Sequence, residues 1–168
     1  MTRNALNLVL LLATTLLISA CSKQGIYDSA IGWERSSAGL ETEQVAVGEL
    51  DITYLRSKKP VDGDTLVLIH GFGANKDNWT RLARQLTDEF NVYAIDLPGH
   101  GDSSKELDLG YRFEDQVRHL SRILDALGVQ RSHMMGNSMG GAITALYAAT
   151  YPDQILTATL FDPAGIFE

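Results

Sequence analysis

Met134-Met135-Gly136-Asn137-Ser138-Met139-Gly140-Gly141 sets a serine at the centre of a Gly-x-Ser-x-Gly run, after an apolar stretch and before a run of small residues. A serine in that context sits on a strand-to-helix turn too sharp for bulky neighbours. Gly136 and Gly140 stand where side chains would collide with the turn, and Gly141 and Ala142 let the following helix lie close to the strand. Ser138 is therefore a candidate nucleophile; the competing reading is a serine in a glycine-rich turn. A serine hydroxyl is a poor nucleophile without a neighbouring base. The four histidines, His70, His100, His119 and His133, all precede Ser138.

Working outward, residues 131–135 read as the strand before the serine. Residues 139–150 read as a buried helix with almost no polar face, ended by Tyr151-Pro152-Asp153. Residues 155–161 form one more strand, closed by the turn Asp162-Pro163-Ala164-Gly165. Upstream, Thr65-Leu66-Val67-Leu68-Ile69 is continuously apolar, as suits a strand covered on both faces of a parallel sheet. A helix is predicted from Trp79, Leu82, Ala83 and Leu86, and a strand over residues 91–95. A longer helix carries Phe113, Val117, Leu120, Leu124 and Leu127 as its apolar stripe, with Gly128 as its stop. Two alternating segments, 44–47 and 50–55 around Gly48-Glu49, predict an opening hairpin. Strands alternating with helices predict a mostly parallel α/β sheet with flanking helices. His70-Gly71-Phe72-Gly73, Asp96 and Ser138 all follow strands, so they should gather on one edge of it.

The 168 residues are 45% hydrophobic and 21% charged, which is ordinary for one globular domain. The net charge is −7 and nothing basic clusters, which excludes nucleic acid as a partner. Residues 1–20 stand apart. Arg3 is the only charge before Lys23, and an apolar run follows it, interrupted by Asn7, Thr14 and Thr15. That run is short for a membrane span and fits a signal peptide. Leu17-Ile18-Ser19-Ala20-Cys21 resembles a bacterial lipobox. The resemblance implies cleavage before Cys21, lipidation of that cysteine and, with Ser22 next, sorting to the outer membrane of the cell envelope. An uncleaved anchor and a secreted protein with a free cysteine are the alternatives. One cysteine permits no internal disulfide. Residues 21–43 are polar and mixed and read as a tether, and the folded domain is expected over 44–168.

Three motifs stand at the ends of predicted strands: His70-Gly71-Phe72-Gly73, Asp96-Leu97-Pro98-Gly99-His100-Gly101-Asp102-Ser103, and Gly136-Asn137-Ser138-Met139-Gly140-Gly141. In this order, over about residues 44–162, they resemble the N-terminal half to two-thirds of an α/β-hydrolase. The resemblance implies an oxyanion hole made by the backbone N–H groups of Phe72 and Met139. It implies the order serine, acid, histidine, with His70 and His100 in structural positions. His133, inside a strand, reads as a satisfied core residue, and His119 as exposed. Asp162 is either a catalytic acid or a turn former. The acid, the histidine and a cap are expected beyond residue 168, the chain reading as a fragment that stops after about the sixth strand and is inactive by itself.

The activity implied is hydrolysis of carboxylic esters, of lipase, phospholipase or esterase type, through an acyl-enzyme on Ser138. No metal or organic cofactor is implied, and the expected partners are a lipid or small ester and a membrane reached through Cys21. A serine nucleophile excludes the branches that use aspartate. Two alternatives stand. The elbow and Asp162-Pro163-Ala164-Gly165 also resemble hydrolases that cleave carbon–carbon bonds of ring-cleavage products. A tethered binding module without catalysis is the other.

Overall fold

The computed structural model describes residues 23–165, so the signal peptide expected over 1–20 and Cys21 lie outside the described residues. The chain divides into two compact units, residues 1–34 and 35–168. Of the first, the described part is the opening of helix α1 (Lys23–Ser37), where Ile26, Tyr27 and Trp33 are exposed. The stretch read as a tether is thus helical over most of its length. Gly25 and Gly32 argued against a helix, since each costs about 1 kcal/mol relative to alanine. No described helix is long and apolar enough to cross a membrane.

The second unit is built on a six-stranded sheet in the order β1-β2-β4-β3-β5-β6. The strands are β1 (Leu40–Val47), β2 (Leu50–Ser57), β3 (Thr65–Ile69), β4 (Asn91–Ile95), β5 (Ser132–Asn137) and β6 (Ile155–Phe161). β1, β2 and β4 pair antiparallel, and β4, β3, β5 and β6 pair parallel. The expected architecture is therefore present. The hairpin is longer than the sequence predicts, since Leu40 pairs with Ser57 at its far end. Glu41, Thr42 and Glu43 hid that extension by their polarity. They are tolerated because β1 is an edge strand, and Arg56 of β2 meets Glu41 at 3.1 Å and Glu43 at 2.7 Å.

β3 shows why a continuous apolar run marks the sheet centre. Val67 and Ile69 pack on one face with α3 (Phe113–Ala126) and α4 (Met139–Thr150). Leu66 and Leu68 pack on the other with Trp79 and Ala83. The helix expected around Trp79 is a 3-10 turn (Lys76–Trp79) followed by the single-turn α2 (Thr80–Ala83). Beyond it the backbone bonds alternate, with Gln85 N–H reaching Leu82 O and Thr87 N–H reaching Ala83 O, which breaks the helical repeat. Phe113, expected on the apolar stripe of α3, is exposed; the face that is buried runs Gln116, Val117, Leu120, Ile123 and Leu124.

Gly128 ends α3 as expected. It sits at φ 72°, donates to Asp125 O at 3.1 Å, and the next residue, Val129, donates to Leu124 O at 2.9 Å. A Cβ there would meet nothing within 4 Å, so the cost of a side chain is backbone strain alone. Gly128→Ala should therefore destabilise by about 1–2 kcal/mol, read as a lowered midpoint in urea with an unchanged slope.

Candidate active site

Ser138 joins β5 to α4 at φ 53° and ψ −116°, outside the ordinary regions for a residue with a side chain. Such a backbone costs about 1–3 kcal/mol and persists only where its surroundings enforce it. Here three backbone bonds do so. Ser138 N–H donates to Phe161 O at 2.9 Å, and Ser138 O accepts from Ala164 at 3.0 Å and Ala142 at 3.1 Å.

The glycines act through close approach, as their spacing suggested. A Cβ on Gly136 would lie 2.1 Å from Gly140 O, and one on Gly140 would lie 2.3 Å from Ile69 O. On Gly71 it would lie 3.3 Å from Ser138 Cβ, so the loop after β3 runs directly past the serine. Met139, the first residue of α4, is buried, and Ser138 is half-buried. The main chain of Phe72 belongs to the loop beside the serine, while its side chain is 84% exposed.

Two clefts flank this turn. One of about 400 Å³ is lined by His70, Gly71, Trp79, Asn137, Phe161 and Asp162. The other, about 370 Å³, is lined by Phe72, His100, Lys105, Tyr111, Gln116 and Met139. Ser138 thus lies between a cleft reached through Asn137 and one reached through Met139. Asp162 is exposed at φ 40°, at the rim of the first.

Each histidine has partners other than Ser138. His70 is buried; its Nδ1 faces Gly71 O at 2.8 Å and its Nε2 accepts from Leu97 N–H at 3.2 Å. That pair of bonds selects the Nδ1-protonated neutral ring, and burial lowers its pKa further from the charged form. His100 contacts Pro98 O at 3.2 Å and its ring lies 5.0 Å from that of His70. His119 meets Gly110 O at 3.2 Å. His133 meets Thr157 Oγ1 at 2.8 Å and Asp64 Oδ2 at 3.4 Å; it is satisfied as expected but partly exposed rather than core. It is also five strand residues before the serine, roughly 16 Å along the strand.

Sequence reasoning missed Lys76. Beside Asp77 it resembles any solvated charge, yet it is fully buried. Its Nζ lies 2.8 Å from Asp96 Oδ2 and 2.7 Å from Asp102 Oδ2, and its N–H donates to Asp96 Oδ1 at 2.6 Å. Asp77 is held in turn by Arg35, at 2.6 and 2.7 Å. Burial alone would lower the Lys76 pKa; the bonds from Asp102 and Asp96 overcome it and hold the pKa above the usual value. The same bond holds the Asp102 carboxyl below its usual value. Among the described residues no group of three or more His, Cys, Asp or Glu is placed to hold a metal.

A mostly parallel sheet with a strained serine between strand and helix, beside a glycine-rich loop from the neighbouring strand, defines an α/β protein of the nucleophile-elbow class. The chain belongs to the alpha/beta hydrolase fold family, whose profile matches residues 64–166. It is 42% identical to Lipase 1 of Psychrobacter immobilis, over 82% of this chain and 43% of that protein. It is 41% identical to Lipase 3 of Moraxella sp. (strain TA144), over 82% of this chain and 44% of that one. Among solved structures it resembles a membrane phospholipase A described as a bacterial virulence factor, with a TM-score of 0.87 and 46% identity, covering 99% of this chain and 54% of that one. The chain thus spans about half the length of the relatives it matches.

Because the folded pKa of Asp102 is depressed, its ionised form stabilises the fold above the unfolded pKa, and this is lost as pH falls through the folded value. The gap in melting temperature between wild type and Asp102→Asn should therefore be present at about pH 7 and shrink below about pH 4. A gap that stays constant across that range counts against the ion pair.

Proposed function

We propose that the protein is a carboxylic ester hydrolase of lipase or phospholipase type, with Ser138 as nucleophile. The observation that carries this reading is the enforced backbone of Ser138, half-buried between two clefts and passed by the Gly71–Phe72 loop. The hydroxyl oxygen attacks the acyl carbonyl, its proton going to a base, and the carbonyl oxygen becomes an alkoxide. The N–H groups of Phe72 and Met139 are assigned to that alkoxide. Collapse expels the alcohol, which takes up the proton, and water then releases the acid from the acyl-serine. The proton acceptor is assigned to a histidine other than the four in this chain, since each of those holds other partners or lies at another part of the sheet. The lipase and phospholipase relatives support a lipid or ester as substrate, and the phospholipase being a membrane protein supports an envelope location. Lipidation of Cys21, with the protein held at the outer membrane, belongs to this reading on the strength of the sequence.

A fluorophosphonate probe should label the full-length protein, and a p-nitrophenyl ester should give a burst of one equivalent. Ser138→Ala should abolish labelling and lower kcat by at least ~10³-fold. Labelling that persists in Ser138→Ala would remove the serine from the mechanism. Turnover of a vinylogous diketone without turnover of esters would move the assignment to carbon–carbon cleavage. For the anchor, Cys21→Ala should stop incorporation of labelled palmitate; unchanged incorporation would reject it.

A further inference from the structure

The oxyanion loop has little packing of its own. Between His70 and Lys76 it carries Phe72, whose side chain is 84% exposed, and Gly73, which sits at φ 69° with nothing within 4 Å of where a Cβ would lie. Side-chain burial therefore does not set the direction of the Phe72 N–H. What the loop has is an edge contact of Phe72 on His100, a turn bond from Ala74 N–H to Gly71 O at 3.2 Å, and two anchored ends. At the first, the His70 ring links Gly71 O to Leu97 N–H. At the second, Lys76 grips a single carboxylate at two points, through its main-chain N–H and its ammonium.

That carboxylate, Asp96, is itself immobile. It has no exposure to water. Its N–H donates to Thr53 O at 3.0 Å, its backbone oxygen accepts from Ser103 Oγ at 2.7 Å, and its Oδ2 accepts from Asp102 N–H at 2.8 Å. A Cβ on Gly101 would fall 2.0 Å from Oδ2, so the 99–102 turn wraps it closely. On the far side Arg35 fixes Asp77 through two bonds. A well-packed apolar group could stabilise the fold as well as a buried ion pair, so stability alone is a poor reason for one. Direction is a better one, because a two-point grip fixes orientation and an apolar contact does not.

We propose that Lys76 is a positioning residue, its buried two-point grip on Asp96 holding the 70–76 loop in the orientation that presents the Phe72 N–H beside Ser138. This rests on the assignment of that N–H to the alkoxide.

The test uses the full-length protein and three variants, Lys76→Met, Lys76→Met/Asp96→Asn and Asp96→Asn. Lys76→Met leaves a buried carboxylate without its cation and should lower both the melting temperature and kcat. The double variant removes the unpaired charge, so its melting temperature should recover. Its amides 71–75 should nevertheless exchange hydrogen at least ~10-fold faster than wild type, with kcat on a short-chain ester ~10–100-fold lower and KM within about 3-fold. A merely structural lysine predicts recovery of all three together, and wild-type exchange with wild-type kcat in the double variant overturns the proposal. If the double variant does not fold, Asp96→Asn decides, because it removes the charged half of the grip and leaves Asp102 as partner of the ammonium. Faster exchange confined to 71–75 supports the grip and unchanged exchange rejects it. A wild type without esterase activity sinks the hydrolase reading instead, and exchange alone then decides the role of Lys76.

Discussion

Backbone touches backbone where α4 meets the end of β3, and the candidate site depends on that contact. Gly140 faces the carbonyls of Ile69 and His70 so closely that a methyl group would stand 2.3 and 2.5 Å from their oxygens. No side chain can intervene, so the first turn of α4 is pressed against the neighbouring strand. That places Ser138 beside Gly71 and brings the ends of β3 and β5 within reach of one small molecule. It also explains why the turn tolerates a strained serine: the strain is balanced by packing that any relaxation would disrupt.

Around that contact the site divides into a part made by main chain and a part made by charge. Ser138, Gly71 and Met139 are placed by main-chain geometry. The loop that carries Phe72 is placed by ions: two cations, Lys76 and Arg35, set among Asp77, Asp96 and Asp102. Exposed pairs contribute little, typically below about 1 kcal/mol. The Lys76–Asp96 pair is of another kind, because neither partner reaches water and each would be costly alone.

The readable portion of the sequence follows from this division. Main-chain constraints leave marks, since a close approach or a positive φ admits almost only glycine. Gly136, Gly140 and Gly128 could therefore be placed before any coordinates. The central strand β3 was equally readable, because burial on both faces demands an unbroken apolar run. Ionic constraints leave no such mark. Lys76 and Asp96 are twenty residues apart and no spacing rule joins them, so Lys76 looked like solvent-facing charge. The first half of β1 was lost for a related reason: edge pairing needs only backbone, and its polar side chains imitate a loop. Phe113 shows the opposite error, an apolar residue in phase with its helix and still exposed at the first turn. Chain order led the sequence reading to pass over all four histidines as bases, and in the structure each ring has other partners.

The elbow is tied to a neighbouring strand as well as to its own helix. The serine's amide and carbonyl are both stitched to the segment 161–164, one through Phe161 and the other through Ala164. The backbone of Ser138 is thus tied to the exit of β6 as well as to the first turn of α4. A pull on that exit would be transmitted to the hydroxyl as a displacement, with no side chain between to absorb it. The elbow and the β6 turn are joined through main chain, and residues 161–164 share in setting where the Ser138 hydroxyl rests.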